Sequence, residues 1–189
     1  EAFGLAPMFT ELAGAGRLEI VEGTEASLAF GLRATLARVG FMPSRAWLGT
    51  DLLRIRPDVK TVRDPYSGDE YVAFPAIRAD VVVIHALVAD RTGNARLGGN
   101  LGLDRELAMA SDRVIVTAER VVDRLDGPLE MPGVRTTAVV EAPRGAWPTS
   151  CYPDYPVDGD ELLDYVEACS GGAFDAYLER FSSGAAPRA

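Results

Sequence analysis

Three short runs organise the hydrophobic pattern of this chain. Asp80-Val-Val-Val-Ile84, Arg113-Val-Ile-Val-Thr117 and Thr136-Thr-Ala-Val-Val140 are rich in β-branched residues. Runs of this length and type suit strands buried on both faces, as in a parallel sheet. Helical spacing falls between and around them. Pro7 starts a short helix that Gly14-Ala-Gly16 stops. Thr24 caps a helix to about Arg38, in which Leu28, Leu32 and Leu36 recur every four residues and would face the core. Phe41-Met-Pro43 ends it. Asp104 caps a helix to about Ser111. Asp158-Gly-Asp-Glu161 reads as a capping box opening a helix to about Cys169, and Ser170-Gly-Gly172 breaks it. Phe174, Tyr177, Leu178 and Phe181 again follow helical spacing, and the tail from Ser182 is expected to fray. Arg17-Leu-Glu-Ile-Val21 alternates like a strand. Residues 44–78 read as irregular, with a hairpin ending at Tyr71-Val-Ala-Phe74. Strands alternating with helices define the fold class as α/β: an open, mostly parallel sheet flanked by helices, in one domain spanning 1–189.

Composition narrows the function. The 189 residues are 48% hydrophobic, enough for one sizeable core. A net charge of −9 disfavours nucleic acid and anionic membranes as partners. No apolar run approaches the ~20 residues of a membrane span. Cys151 and Cys169 do not make a disulfide framework, so a reducing cytoplasm is expected. With a single histidine and no cysteine cluster, no protein-built metal site is expected. The opening Glu1-Ala-Phe-Gly-Leu-Ala-Pro7 reads like the interior of a longer polypeptide.

Chemistry concentrates where the first buried run ends. His85 sits at its carboxyl end, where open α/β sheets bind ligands. It can donate a hydrogen bond to a thioester oxygen or carboxylate, or simply bond a backbone carbonyl in the core. Asp90, Arg91, Gly93 and Asn94 form a turn. Gly93 suits a positive φ, Asn94 suits local backbone bonds, and Arg91 suits a phosphate or carboxylate. Turn structure alone also explains all four. Gly98 and Gly99 begin Gly-Gly-Asn-Leu-Gly102, a loop whose N–H groups can line an acyl pocket, although it is no dinucleotide fingerprint. No Gly-x-Ser-x-Gly elbow supports a serine hydrolase. No base stands beside Cys151 in sequence, and Arg45, Arg54 and Arg56 read as solvated surface unless they meet phosphates or a partner.

Ordered blocks along nearly the whole chain carry a resemblance. They are Glu25-Ala-Ser-Leu-Ala-Phe-Gly-Leu-Arg-Ala34, Phe41-Met-Pro-Ser-Arg45, Leu48-Gly-Thr-Asp51, Pro75-Ala-Ile-Arg-Ala-Asp80, His85-Ala-Leu-Val-Ala-Asp-Arg-Thr-Gly-Asn94 and Val114-Ile-Val-Thr-Ala-Glu-Arg-Val-Val122. Glu141-Ala-Pro-Arg-Gly-Ala-Trp-Pro-Thr-Ser-Cys-Tyr-Pro153 and Tyr165-Val-Glu-Ala complete the set. Together they resemble the A-type (alpha) chain of the class I, or family I, coenzyme A transferases, of the glutaconate CoA-transferase kind.

The resemblance implies a CoA thioester as substrate, no tightly bound cofactor, and a hetero-oligomer with a B subunit. The family's nucleophilic glutamate lies in that B subunit, in a Glu-Asn-Gly or Glu-Ser-Gly context that this chain does not contain. The acyl group would pass to that glutamate and CoA would then move to an acceptor carboxylate. The family also begins with a βαβ unit and a glycine-rich loop, so the resemblance implies that the chain lacks the N-terminal part of its domain. Some members are instead acyl-CoA hydrolases that open a carbon ring in steroid degradation, and others are decarboxylases. In the ring-opening branch a glutamate of the alpha chain takes part in catalysis, and it aligns with Glu25, six residues before Gly31. Glu25 follows the cap position, where the helix dipole favours an ionised carboxylate, although glutamate is also simply common there. Ser27 is a polar neighbour of the same site. A non-catalytic acyl-CoA-binding subunit is the remaining alternative.

Overall fold

The protein is described by a computed structural model covering residues 5–99 and 101–182. In chain order its elements are α1 (Pro7–Gly14), α2 (Glu25–Leu36), β1 (Phe41–Ser44), α3 (Leu52–Ile55), β2 (Lys60–Arg63), β3 (Glu70–Pro75), β4 (Ala79–Ala86), β5 (Val88–Asp90), β6 (Ala95–Arg96), α4 (Asp104–Ala110), β7 (Ser111–Ala118), β8 (Val121–Val122), a 3₁₀ turn (Gly133–Arg135), β9 (Thr136–Glu141), α5 (Gly159–Ser170) and α6 (Phe174–Ser182). They fall into two compact units, Glu22–Pro143 and the two chain ends Glu1–Val21 with Arg144–Ala189.

The first unit holds three sheets, each of three strands. β4, β7 and β9 form a parallel sheet with β7 in the centre, built from the three β-branched runs. β1, β3 and β2 form an antiparallel sheet, and β6, β5 and β8 a small mixed one just beyond the ends of β4 and β7. The α/β class therefore holds. The region read as irregular is more ordered than expected: Phe41–Ser44 is a strand rather than a helix stop, and it pairs with the expected hairpin. Short antiparallel strands carrying Pro43 and Pro75 leave little periodicity to read.

The parallel sheet is covered on one face only. Val82, Ile84 and Ala86 alternate inward with Val114, Val116 and Ala118, and Ala108 of α4 joins them in one core cluster. Their neighbours Val81 and Val83 are 46% and 60% exposed. The expectation of burial on both faces thus fails for β4, which lies at the edge of its sheet. Continuous β-branching does not distinguish a two-sided strand from one whose second face is open.

α2 is anchored at both ends. Thr24 Oγ1 accepts from Ser27 N–H at 3.3 Å while Ser27 Oγ accepts from Thr24 N–H at 2.9 Å, a reciprocal capping box. Trp47 Nε1 also donates to Thr24 Oγ1, at 2.8 Å. Further along, Gly31 lies so close to the Pro75–Ile77 segment that a Cβ would sit 2.5 Å from Ile77 Cδ1. This close approach turns the buried stripe to Gly31, Leu32 and Ala34. Leu28 and Leu36, expected in the core, are exposed instead. A second core of Trp47, Val59, Val72 and Phe74 forms beneath the antiparallel sheet, with Phe30 of α2 stacked on Phe74.

Two other expectations need correction. Arg17–Val21 forms no strand and is exposed throughout, since alternation without a pairing partner is not enough to hold one. Leu103, not Asp104, occupies the cap position of α4. Asp104 sits one residue inside, where burial pushes its carboxyl above the usual range.

The second unit holds α1, α5 and α6. Asp158 caps α5 by accepting from Glu161 N–H at 3.1 Å, and its other oxygen accepts from Trp147 Nε1. The buried Glu161 carboxylate takes Arg180 on both oxygens, at 3.0 and 3.2 Å. Tyr177 lies against this pair, and burial first, then its bond to Glu161, push its phenol up to about 12. The expected fraying of residues 183–189 lies outside the described residues.

The one-sided sheet has a direct consequence. Val116→Ala is expected to lower unfolding free energy by about 2 kcal/mol, and Val83→Ala by under about 0.5 kcal/mol. Urea unfolding of the two variants measures this, and equal losses would mean that the open face is covered.

Candidate active site

The carboxyl ends of β4 and β7 bring three polar side chains together. The parallel register pairs His85 with Thr117. Side chains two residues apart on a strand share a face, so Glu119, just past the end of β7, follows Thr117 on the same side. The geometry agrees. His85 Nδ1 is 2.9 Å from Thr117 Oγ1, and His85 Nε2 is 2.7 Å from Glu119 Oε1. Both His85 and Glu119 are largely withdrawn from water, with 17% and 8% of their side chains exposed. His85 belongs to the same alternation as Val81 and Val83, so the triplet lies on the sheet face opposite the core cluster, although His85 and Glu119 are themselves buried or nearly so. A carboxylate, an imidazole and a hydroxyl in line can hold or pass a proton.

Of this triplet the sequence reading singles out only His85. It misses Thr117 and Glu119, although the signal is present: aligning the ends of two parallel runs and applying the two-residue period puts both beside His85.

The turn after β5 is a closed knot. The buried Asp90 carboxylate accepts from Thr92 N–H and Oγ1, from Asn94 N–H and Nδ2, and from Leu125 N–H, at 2.6 to 3.2 Å. Burial is the largest single influence and pushes its pKa up, but the bonds from Thr92, Asn94 and Leu125 together outweigh it and hold the carboxyl well below the usual range. Asn94 Oδ1 in turn accepts from Gly133 N–H at 2.9 Å. Gly93 has φ +87°, and a Cβ there would lie 2.3 Å from Thr136 Cβ. Arg91 points outward to an exposed ion pair with Asp123 at 2.9 Å. These bonds of Asp90 and Asn94 are internal ones that shape the turn.

Glu25 stands at the first position of α2 and is exposed. The capping box and the Trp47 bond fix where it starts, and Ser27 spends its hydroxyl on that box. Gly98 adopts φ +95° and leads with Gly99 toward α4, a helix of seven residues. Asn100 of this loop lies outside the described residues. An apolar cleft of about 270 Å³ between Phe41, Val62, Tyr66 and Tyr71 sits on the antiparallel sheet, and none of the expected site residues lines it.

Comparison with known proteins is decisive for the family. Residues 2–142 match the Coenzyme A transferase family, and the chain belongs to it. The A chain of the 3-oxoadipate CoA-transferase of Pseudomonas knackmussii is 39% identical over 144 residues, 75% of this chain and 51% of that protein. The IpdA subunit of the cholesterol ring-cleaving hydrolase of Mycobacterium tuberculosis is 32% identical over 178 residues, 87% of this chain and 61% of that protein. Among solved structures, a variant of the decarboxylase AibA/AibB superposes with a TM-score of 0.87 at 31% identity, covering 94% of this chain and 66% of the other. The chain thus spans roughly half to three-fifths of the length of these curated relatives. They carry a transferase, a hydrolase and a decarboxylase name on one fold, so family membership alone does not select the reaction. The match fits a chain of the A type, and no described helix is long and apolar enough to cross a membrane.

Asp90→Ala is expected to cost about 3 kcal/mol, because it strands several buried donors. Because folding lowers the Asp90 pKa, its contribution is fully present above the unfolded carboxylate value of about 4 and declines as pH falls below it. Urea midpoints of wild type and variant between pH 7 and pH 3 test this, since the gap between them must narrow with acid. Ser27→Ala is expected to cost about 1 kcal/mol through the lost cap.

Proposed function

We propose that this chain is the A-type component of a CoA transferase that moves CoA between an acyl-CoA and a carboxylic acid. It works in a hetero-oligomer with a B subunit that carries the nucleophilic glutamate. The observation that carries this reading is the family match over residues 2–142, joined to a 39% identical relative that is itself the A chain of a transferase. In this scheme the partner's carboxylate attacks the thioester, CoA leaves and returns, and the acceptor acid leaves as a new thioester. This chain shapes the acyl pocket. Its contribution lies at the carboxyl ends of β4 and β7, where His85, held between Thr117 and Glu119, would form part of the pocket wall. Arg91, Asn94, Gly98 and Gly99, on the loops that follow, would bound the pocket, with the Asp90 knot holding the first of them in shape. The substrate is the CoA thioester itself and no resident cofactor is required. Cys151 and Cys169, which are not joined in a disulfide, support a reducing compartment such as the cytoplasm, and the role fits catabolism of carboxylic acids or lipids.

A second reading is favoured by the ring-cleaving relative and by Glu25. That carboxylate stands exposed at the start of a firmly capped helix, placed to act as a base in hydrolysis or C–C cleavage of an acyl-CoA.

Intact mass spectrometry of the assembled complex after mixing with an acyl-CoA separates the two. Transfer is expected to leave a CoA or acyl adduct on the partner chain and none on this one. The Glu25 reading requires instead that no such adduct forms and that Glu25→Gln lowers turnover about 100-fold or more.

A further inference from the structure

CoA exchange between two carboxylates needs no proton shuttle, yet the ends of β4 and β7 carry the parts of one. An ionised carboxylate only accepts hydrogen bonds, so the 2.7 Å contact with Glu119 Oε1 places the proton of a neutral His85 on Nε2. Nδ1 then presents a lone pair, and the 2.9 Å contact there is filled by the Thr117 hydroxyl as donor. The Thr117 side chain is half-buried, and its oxygen keeps lone pairs for a further donor on the sheet face opposite the core.

We propose that Glu119, His85 and Thr117 form a hydroxyl-relayed base that activates water against a CoA thioester, giving the assembled enzyme a hydrolytic activity besides transfer. Glu119 is a positioning residue that fixes the histidine tautomer. Thr117 is the end that meets the water. In the step, the water oxygen forms a bond to the thioester carbonyl carbon, and its proton passes to Thr117 Oγ1. The Thr117 proton moves to His85 Nδ1, and Glu119 holds the resulting imidazolium. When the tetrahedral adduct collapses, the C–S bond breaks and the same proton returns to the leaving sulfur. The products are a carboxylic acid and CoA, and every proton comes from the water consumed. The tautomer part rests on the two ring contacts and an ionised Glu119, whereas its use on a thioester rests on the coenzyme A reading above.

The single histidine makes the test clean, because one imidazole gives one pair of ring nitrogen resonances. In the assembled protein, with only this chain labelled by ¹⁵N-histidine, the neutral ring is expected to carry its proton on Nε2. Glu119→Gln is expected to populate both tautomers, since an amide can donate or accept, while the amide fingerprint shows the fold intact. A wild-type ring protonated on Nδ1, or a Glu119→Gln ring with an unchanged tautomer, would overturn the positioning role. Turnover completes the test, with acetyl-CoA and glutaryl-CoA as probes. Thr117→Val keeps the β-branched shape and loses the hydroxyl, whereas Thr117→Ser does the reverse. The relay requires Val to lose hydrolysis about 100-fold and Ser to retain it within a few-fold. A merely structural threonine would give the opposite order, and absence of hydrolysis of both probes by the wild type would remove the proposed activity. Failure of the assembly to bind either thioester would sink the coenzyme A reading and leave the tautomer result standing.

Discussion

The parallel pairing of β4 with β7 is the constraint on which the rest depends. Its register sets Ile84 beside Val116 and His85 beside Thr117. Because side chains alternate, one set of residues fills the core under α4 and the other forms an open face. A slip of β4 by one residue would bury His85 and expose Ile84. The hydrophobic requirement of the core therefore also fixes the polar triplet at the carboxyl ends of the strands, where open α/β sheets present their ligands.

The turn after β5 and the start of α2 are held by bonds of their own. The Asp90 knot gathers donors from Thr92, Asn94 and Leu125, and Asn94 passes the constraint on to Gly133, next to the start of β9. Elsewhere in the unit, the Thr24–Ser27 box and the Trp47 bond fix the start of α2, and with it the position of Glu25. Both devices are polar networks with partners supplied, which is how buried polar groups hold a unique arrangement.

Much of this was legible in the residues. The three β-branched runs, the Thr24 and Asp158 caps, and the break at Ser170–Gly172 all read correctly, because each rests on local chemistry. What failed depended on tertiary partners. Leu28 and Leu36 have helical spacing but lost the core to the side of α2 that carries Gly31, whose lack of a side chain permits contact with the Pro75–Ile77 segment. Val81 and Val83 read as buried and are not. At the site, His85 was visible as the single histidine at a strand end. Glu119 and Thr117 became visible only when a second strand was set in register beside the first.

The family is shared with proteins named for transfer, hydrolysis and decarboxylation, so chemistry must be decided by which groups surround the thioester carbonyl. The most direct measurement is a structure of the assembled complex with a bound acyl-CoA. The thioester carbonyl is expected at the ends of β4 and β7, with one water between its carbon and the Thr117 hydroxyl and in hydrogen-bond reach of that hydroxyl. A thioester seated elsewhere, with its carbonyl far from that hydroxyl, would contradict the assignment of this site.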